Sequence, residues 1–341
     1  MTEKLSESSI YYHVVLEKIV PKASPAFEEE DMQKRVWGRR WGIFNDVGTI
    51  KTILMSRPGE EMKIITADKY DSSIDALIDE GEQWYFRSDK APNIEGMQAE
   101  HDALVKILRD NGAEVIYLNG ASPRDPNSMF VRDMGMVVNG GIIVSRMGPV
   151  GKAFGTGRRG EEAYITKKVV EIGMPILHTI HGEGLMEGGS FCMLTDKCAA
   201  IALSPRGNKC AVDQVRNVLS VQGIELVEIP LVGFSMHIDG AVVMISHDKA
   251  VVNIERLPYW FIDKLKELDI EPIFADYRDS RLAVNCIAIK PGKIIMDELA
   301  PWTAEKLTQK GIEVITTPYK ECRKHGGGIH CSTLPLIRER D

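Results

Sequence analysis

The feature that most constrains this chain is a repeat. A helical segment, a break and a short β-rich run recur five times, the runs being Ala113–Leu118, Met174–Ile180, Ile224–Leu231, Ile270–Ala275 and Ile312–Thr317. The preceding segments carry apolar residues at helical spacing: Leu104/Leu108, Val169/Ile172, Val215/Leu219, Phe261/Leu265/Leu268 and Leu307. Four breaks contain glycine (Gly112, Gly173, Gly223, Gly311), the signature of a helix ending in left-handed backbone before a strand. β-Hairpin patterns follow four of the runs: Met136–Ser145 about Asn139-Gly140-Gly141, Phe191–Leu203 about Thr195-Asp196-Lys197, Ala241–Val252 about Ser246-His247-Asp248, and Leu282–Met296 about Pro291-Gly292. Thr52–Ser56 and Cys331–Ile337, at opposite ends of the chain, supply the strands that a fifth hairpin needs.

The unit is therefore strand, strand, helix, strand, and it can bury its apolar face only against its neighbours. Five copies, with the chain ends sharing one, predict an α/β fold: a five-bladed pseudo-symmetric α/β propeller built from ββαβ units. The competing arrangement is an open α/β sheet. We expect one catalytic domain over 46–341 and an N-terminal extension over 1–45. The extension contains the cluster Lys34-Arg35-Val36-Trp37-Gly38-Arg39-Arg40-Trp41, which can dock on the ring or on a partner subunit of a homo-oligomer. Residues 59–98 form an acid-rich insertion carrying Trp84, Tyr85 and Phe86, long enough to serve as a lid.

Composition excludes several classes of partner. With 341 residues, 44% hydrophobic, the chain can bury a large core. Its 42 basic and 49 acidic residues give a net charge of −7 and leave no basic stripe for a phosphate backbone, so nucleic acid is not an expected partner. No apolar run approaches the roughly 18 residues of a membrane span, and no signal peptide is read at the N-terminus. A cytoplasmic location is expected. The six cysteines show no CxxC or zinc-ribbon spacing, which suits reduced thiols.

Unusual polar residues stand just before the first strand of successive hairpins. They are Phe130-Val131-Arg132-Asp133, Glu187-Gly188-Gly189-Ser190, His237-Ile238-Asp239-Gly240 and, before the last strand, Gly326-Gly327-Gly328-Ile329-His330-Cys331. In a pseudo-fivefold ring equivalent positions face one axis, so residues about 200 apart in sequence converge on one pocket. Singly, each has a plainer explanation: a buried cysteine, an Asp133–Arg132 pair, a histidine satisfying a core hydrogen bond. Four at one phase of a repeat favour a site.

The chemistry such a site supports is specific. A guanidinium is planar, permanently charged and forked, and carboxylates meet it with paired hydrogen bonds. Asp133 and Asp239 suit that task and would hold the central carbon near a nucleophile, Cys331. His237 would protonate the departing amine and then activate water, and Glu187 would orient the imidazole or meet a substrate nitrogen. A metal centre is the rival chemistry, through His178 and His181 or through His325, His330 and Cys331. It lacks a second ligand pair at a recognised spacing, so no metal is expected.

Taken in order, these motifs resemble the guanidino-group-modifying enzyme superfamily, which includes arginine deiminases, agmatine deiminases, dimethylarginine dimethylaminohydrolases and amidinotransferases. The resemblance runs from Ser56-Arg57-Pro58-Gly59-Glu60 to the end of the chain. It implies the propeller fold, a covalent thiouronium intermediate on Cys331, and no metal or organic cofactor. It also implies that Arg158 and Arg206 are ligands for a substrate carboxylate. Ser190 and the Gly326–Cys331 loop are similar to agmatine deiminases, the two arginines to enzymes of α-amino acids. Glu187 favours hydrolysis. The expectation is a cysteine-dependent hydrolase of a small-molecule guanidino compound, arginine or a close derivative, with amidino transfer to an amine as the alternative.

Overall fold

The structure is a computed structural model that describes residues 14–19, 23–81, 84–121, 124–148, 158–233 and 235–340. Five three-stranded sheets share one plan. In the first, Gly135–Val138 pairs antiparallel with Gly141–Val144, and after the helix Glu161–Glu171 the chain returns as Ile176–Thr179, parallel to the middle strand. The second repeats this with Phe191–Met193, Cys198–Leu203, the helix Lys209–Ser220 and Glu225–Pro230. Val242–Ser246, Lys249–Val252, Tyr259–Glu267 and Glu271–Phe274 make the third. Ile287–Lys290, Lys293–Asp297, Pro301–Gln309 and Glu313–Thr317 make the fourth. The fifth joins the chain ends: Leu334–Arg338 lies antiparallel to Ile50–Met55, which pairs parallel with Glu114–Tyr117 after the helix Ile94–Asp110.

Burial explains the order of strands within a unit. The first two strands are short apolar runs shielded on both faces, as in Gly135–Val138 and Gly141–Val144, where every residue is buried. The third strand is partly exposed, as in Ile176–Thr179. The helices cover the sheets with one apolar stripe, such as Ala211, Val212, Val215 and Leu219. All four predicted glycine breaks have positive φ, between 68° and 87°, and in the remaining unit Asp269 adopts the same conformation at φ 59°.

One boundary differs from expectation. The fourth hairpin starts at Ile287, not Leu282, because the Ser280 hydroxyl accepts the Leu282 N–H at 3.2 Å and starts a 3-10 turn over Arg281–Val284. A 3-10 turn, there without a side-chain cap, also precedes the first strand of the first three hairpins, at Val131–Met134, Gly188–Ser190 and Ile238–Gly240. These turns pack against one another in succession. The polar motifs therefore sit on turns, not on strands.

Residues 59–98 include a sixth sheet, Tyr70–Asp71, Ala76–Asp79 and Trp84–Phe86, antiparallel throughout. Of the N-terminal cluster, Trp41 is buried in the core and Gly42 donates its N–H to Leu336 O at 2.9 Å, whereas Trp37, at the end of the helix Glu30–Trp37, is exposed. Among the described residues no helix is long and apolar enough to cross a membrane.

Candidate active site

Cys331 lies in the turn ahead of the last strand, 8% exposed. Its Sγ is 3.3 Å from Asp239 Oδ2 and accepts from Asn285 Nδ2 at 3.2 Å, while its N–H donates to Asn285 Oδ1 at 3.3 Å. His330 Nδ1 stands 3.0 Å from the same Asp239 oxygen. The Arg132 N–H donates to Cys331 O at 3.0 Å, which ties the first turn to the turn that carries Cys331.

The second group forms around Glu187. Its Oε2 is 2.7 Å from His237 Nε2 and its Oε1 accepts from Arg206 Nη1 at 2.9 Å. On the other side of the ring, His237 Nδ1 is 3.4 Å from Asp133 Oδ1. Asp133 Oδ1 also accepts the Gly189 N–H at 3.2 Å, and its Oδ2 pairs with Arg158. Gly189 is required for this approach, because a Cβ there would fall 2.4 Å from Asp133 Oδ1 and 3.0 Å from the His237 ring.

Arg158 and Arg206 are both buried. Arg158 spends its fork on Asp133, on both oxygens of Glu161 (3.0 and 2.7 Å) and on the carbonyls of Asn127 and Phe130. Both arginines thus reach the site, but each meets an acidic residue of the protein itself. The Asp133–Arg132 pair considered from sequence is replaced by Asp133–Arg158.

Charge follows geometry. Burial works against a charged His237, but Asp133, the Glu187 hydrogen bond and Asp239 prevail and raise its pKa to about 9. Burial likewise opposes an ionised Glu187, yet His237 and Arg206 hold it down to about 2. Asp239 is held at about 2 against burial, by the His330 hydrogen bond and the charges of His237 and Arg132. Burial lowers the pKa of His330. The Cys331 thiol is pushed well above its ordinary value, by burial first and then by Asp239 and Asp133. The same acidic surroundings thus favour the charged form of His237 and the neutral form of Cys331.

Two connected spaces meet at these residues. An inner cavity of about 70 Å³ is lined by Asp133, Arg158, Glu187, Arg206, His237 and Cys331, with Phe130 and His325 as apolar walls. An outer cavity of about 490 Å³ shares His237 and Cys331 and adds Asp239. All seven residues singled out from sequence line one or both.

Asn285 was not anticipated. It stands two residues before the fourth hairpin's first strand, the phase at which the other units carry their motifs, and that phase was the signal that would have found it. Tyr85, from the insertion, also lines both cavities. Asp133, Glu187 and His237 have metal-ligating atoms within 4.8 Å of one another. Arg158, Arg206 and the imidazolium already supply positive charge there, which disfavours a cation. His178 instead bonds Gln214, at 2.9 Å.

Residues 75–338 match the family model described as N,N dimethylarginine dimethylhydrolase, eukaryotic. An arginine deiminase of Latilactobacillus sakei is 23% identical, covering 87% of this chain and 98% of its own length. A 2-nitroimidazole nitrohydrolase of a Mycobacterium species is 27% identical over 89% of this chain and 83% of its own. The fold matches that of the Pseudomonas aeruginosa dimethylarginine dimethylaminohydrolase, solved as a cysteine-to-serine mutant with citrulline, at a TM-score of 0.67 and 23% identity, over 85% of this chain and all of that one. The chain thus belongs to the N,N-dimethylarginine dimethylhydrolase family of the guanidino-group-modifying superfamily, as a hydrolase of amidine C–N bonds.

Proposed function

We propose that this protein hydrolyses a guanidino compound, arginine or a close derivative, to a ureido product and ammonia or an amine, through a thiouronium intermediate on Cys331. The observation that carries the reading is the convergence of Cys331, Asp239, His237, Glu187 and Asp133 on one pair of connected cavities. The carboxylate that the substrate guanidinium needs, Asp133, already holds the guanidinium of Arg158. Substrate entry exchanges one guanidinium for another.

The thiol's raised pKa fits the same reading. A guanidinium held between Asp133 and Asp239 offsets the two charges that keep the proton on Cys331, so with substrate bound the thiol loses its proton to solvent and the thiolate forms. Sulfur attacks the central carbon, the C=N electron pair moves to nitrogen, and His237 gives its proton to the departing amine as the C–N bond breaks. The planar thiouronium remains. His237, now neutral, takes a proton from water as oxygen bonds to carbon; collapse breaks the C–S bond, returns the thiolate and leaves the urea, the hydroxyl proton passing to the released ammonia or amine. Glu187 steadies the imidazolium throughout.

The reading includes the finer architecture: the five sheets close round one axis as a pseudo-symmetric five-bladed propeller, forming one catalytic domain over 46–341. It also holds that 59–98 acts as a lid, that the site needs no metal or organic cofactor, that Cys331 works as a reduced thiol in the cytoplasm, and that copies of the chain associate. Arg158 and Arg206 act on a substrate carboxylate only if substrate releases them from Asp133 and Glu187. The test is a product assay on arginine and N-substituted arginines with and without acceptor amines. Ureido product and amine in equal amounts are expected. Amidino transfer to the acceptor, or no turnover of any guanidine, would overturn hydrolysis.

A further inference from the structure

The outer cavity holds a group of charges that hydrolysis at Cys331 does not use. Arg87, Arg256 and Arg281 line it together with Cys331 and Asp239. Among the described residues none of the three forms an ion pair with a carboxylate, although most other arginines of the chain do. Arg87 lies against Tyr85, its Nη2 3.5 Å from the phenol oxygen and its guanidinium 5.7 Å from the ring centre. Arg256 donates only to Gly240 O, at 3.4 Å. Among the described residues the Arg281 side chain meets no hydrogen-bond acceptor.

Arg87 and Arg281 are exposed, and the burden of like charge falls on Arg256. Arg256 is partly buried and feels the repulsion of both Arg281 and Arg87, and these effects lower its pKa. Asp239 and Glu255 pull the other way without forming a pair. Room for Arg256 is also built into the catalytic turn: a Cβ on Gly240, next to Asp239, would fall 2.6 Å from Arg256 Nη1. Like charges gathered along one cavity lining, without carboxylate partners among the described residues, focus a field within it.

Resting on the hydrolase reading above, we infer that Arg87, Arg256 and Arg281 form a binding subsite for an anionic group at the far end of the guanidino substrate, a carboxylate or a phosphate. The cavity's lining contains one carboxylate, Asp239, which the guanidinium end claims. It therefore offers nothing to an ammonium. The substrate class is a guanidino compound with a net negative tail, such as an ω-guanidino acid or an arginine whose α-amine is acylated. A guanidino compound with a cationic tail, such as agmatine, is disfavoured. Arginine lies between, because its ammonium cancels its carboxylate.

The test compares three compounds of equal length, 4-guanidinobutyrate, butylguanidine and agmatine, with the wild-type enzyme, R256Q/R281Q and a control, K266Q, on an outer helix. The expected order of kcat/KM is acid, neutral, amine. The preference for 4-guanidinobutyrate over butylguanidine should fall at least tenfold in R256Q/R281Q and not in K266Q, and about 0.5 M salt should shrink it in the wild type. Carboxylate and phosphate are separated by inhibition with butyrate and butyl phosphate. If butylguanidine is turned over but the preference is absent or unmoved by R256Q/R281Q, the subsite is refuted and hydrolysis stands. A second arm needs no turnover: the rate of Cys331 alkylation by iodoacetate relative to iodoacetamide, followed by peptide mass. That ratio should drop severalfold in R256Q/R281Q. An unchanged ratio would overturn the inference even if no guanidine proved to be a substrate.

Discussion

The inner and outer cavities differ in how they treat charge. Around the inner one each ion is answered: Asp133 by Arg158, Glu187 by Arg206 and His237, Arg158 again by Glu161. Around the outer one Arg87, Arg256 and Arg281 have no carboxylate partner among the described residues. Paired buried ions fix geometry, because losing either partner strands a charge. Unpaired ions facing a large open space are available to a ligand. Chemistry and tail recognition are therefore divided between two neighbouring spaces that share Cys331 and His237.

The strongest way to break that division is to remove the nucleophile. Cys331→Ala should lower turnover by about 10⁴-fold or more, with an unchanged circular-dichroism spectrum. Residual turnover near the wild-type level would place the chemistry elsewhere. His237→Gln should cost about 10³-fold in kcat, within the range for a missing general acid, and pre-steady-state quenching should show the loss in the chemical steps. Next comes Asp133→Asn, which takes one of two carboxylates from buried Arg158. A loss of about 3 kcal/mol in urea unfolding is expected; a loss no larger than for a surface substitution would mean that the inner pairs do not fix the geometry.

The sign of the pH dependence follows from the same pairs. His237 is raised from 6.5 to about 9. Its contribution is complete below the unfolded value and is lost as pH rises through 9, so unfolding free energy should fall by about 2 kcal/mol between pH 7 and 10, and His237→Gln should abolish that part of the slope. Glu187 is lowered to about 2, so its contribution holds above about 4.5 and disappears as pH falls through 2. The smallest effect belongs to the outer cavity: Arg281→Gln should change stability by less than about 0.5 kcal/mol, measured by thermal unfolding.

Much of this was legible because it is periodic. Burial on one helical face and on both faces of short strands writes itself into residue spacing, and the glycine breaks marked four of the five helix ends. Asp269 hid the other, since a side chain that tolerates left-handed backbone stands where glycine would have signalled it. Asp133, Glu187, His237, Asp239 and Cys331 were legible because they share one phase of that period. Asn285 shares it too, but an asparagine before a strand carries no chemistry by itself; only its contact with Sγ reveals it. The partners of the two site arginines were not legible for a related reason. Sequence marks Arg158 and Arg206 as cations near the site and cannot say that Glu161, Asp133 and Glu187 have taken them. Nor does spacing bring Arg87, from the insertion, beside Arg256 and Arg281; that depends on how loops of different units meet.

Covalent chemistry at Cys331 is the central claim, and intact-protein and peptide mass after mixing a His237→Gly variant with candidate guanidines tests it most directly. The variant can still bind a guanidinium between Asp133 and Asp239; it has lost both the proton donor for the departing amine and the activator of water, so an adduct that forms slowly with a proton from solvent is not hydrolysed and accumulates. A mass increase equal to the substrate less its departed ammonia or amine, confined to the peptide containing Cys331 and absent in Cys331→Ala, is the predicted result. Turnover of the same guanidine by the wild type, with no adduct on Cys331 at any time in the variant and full activity in Cys331→Ala, would contradict it.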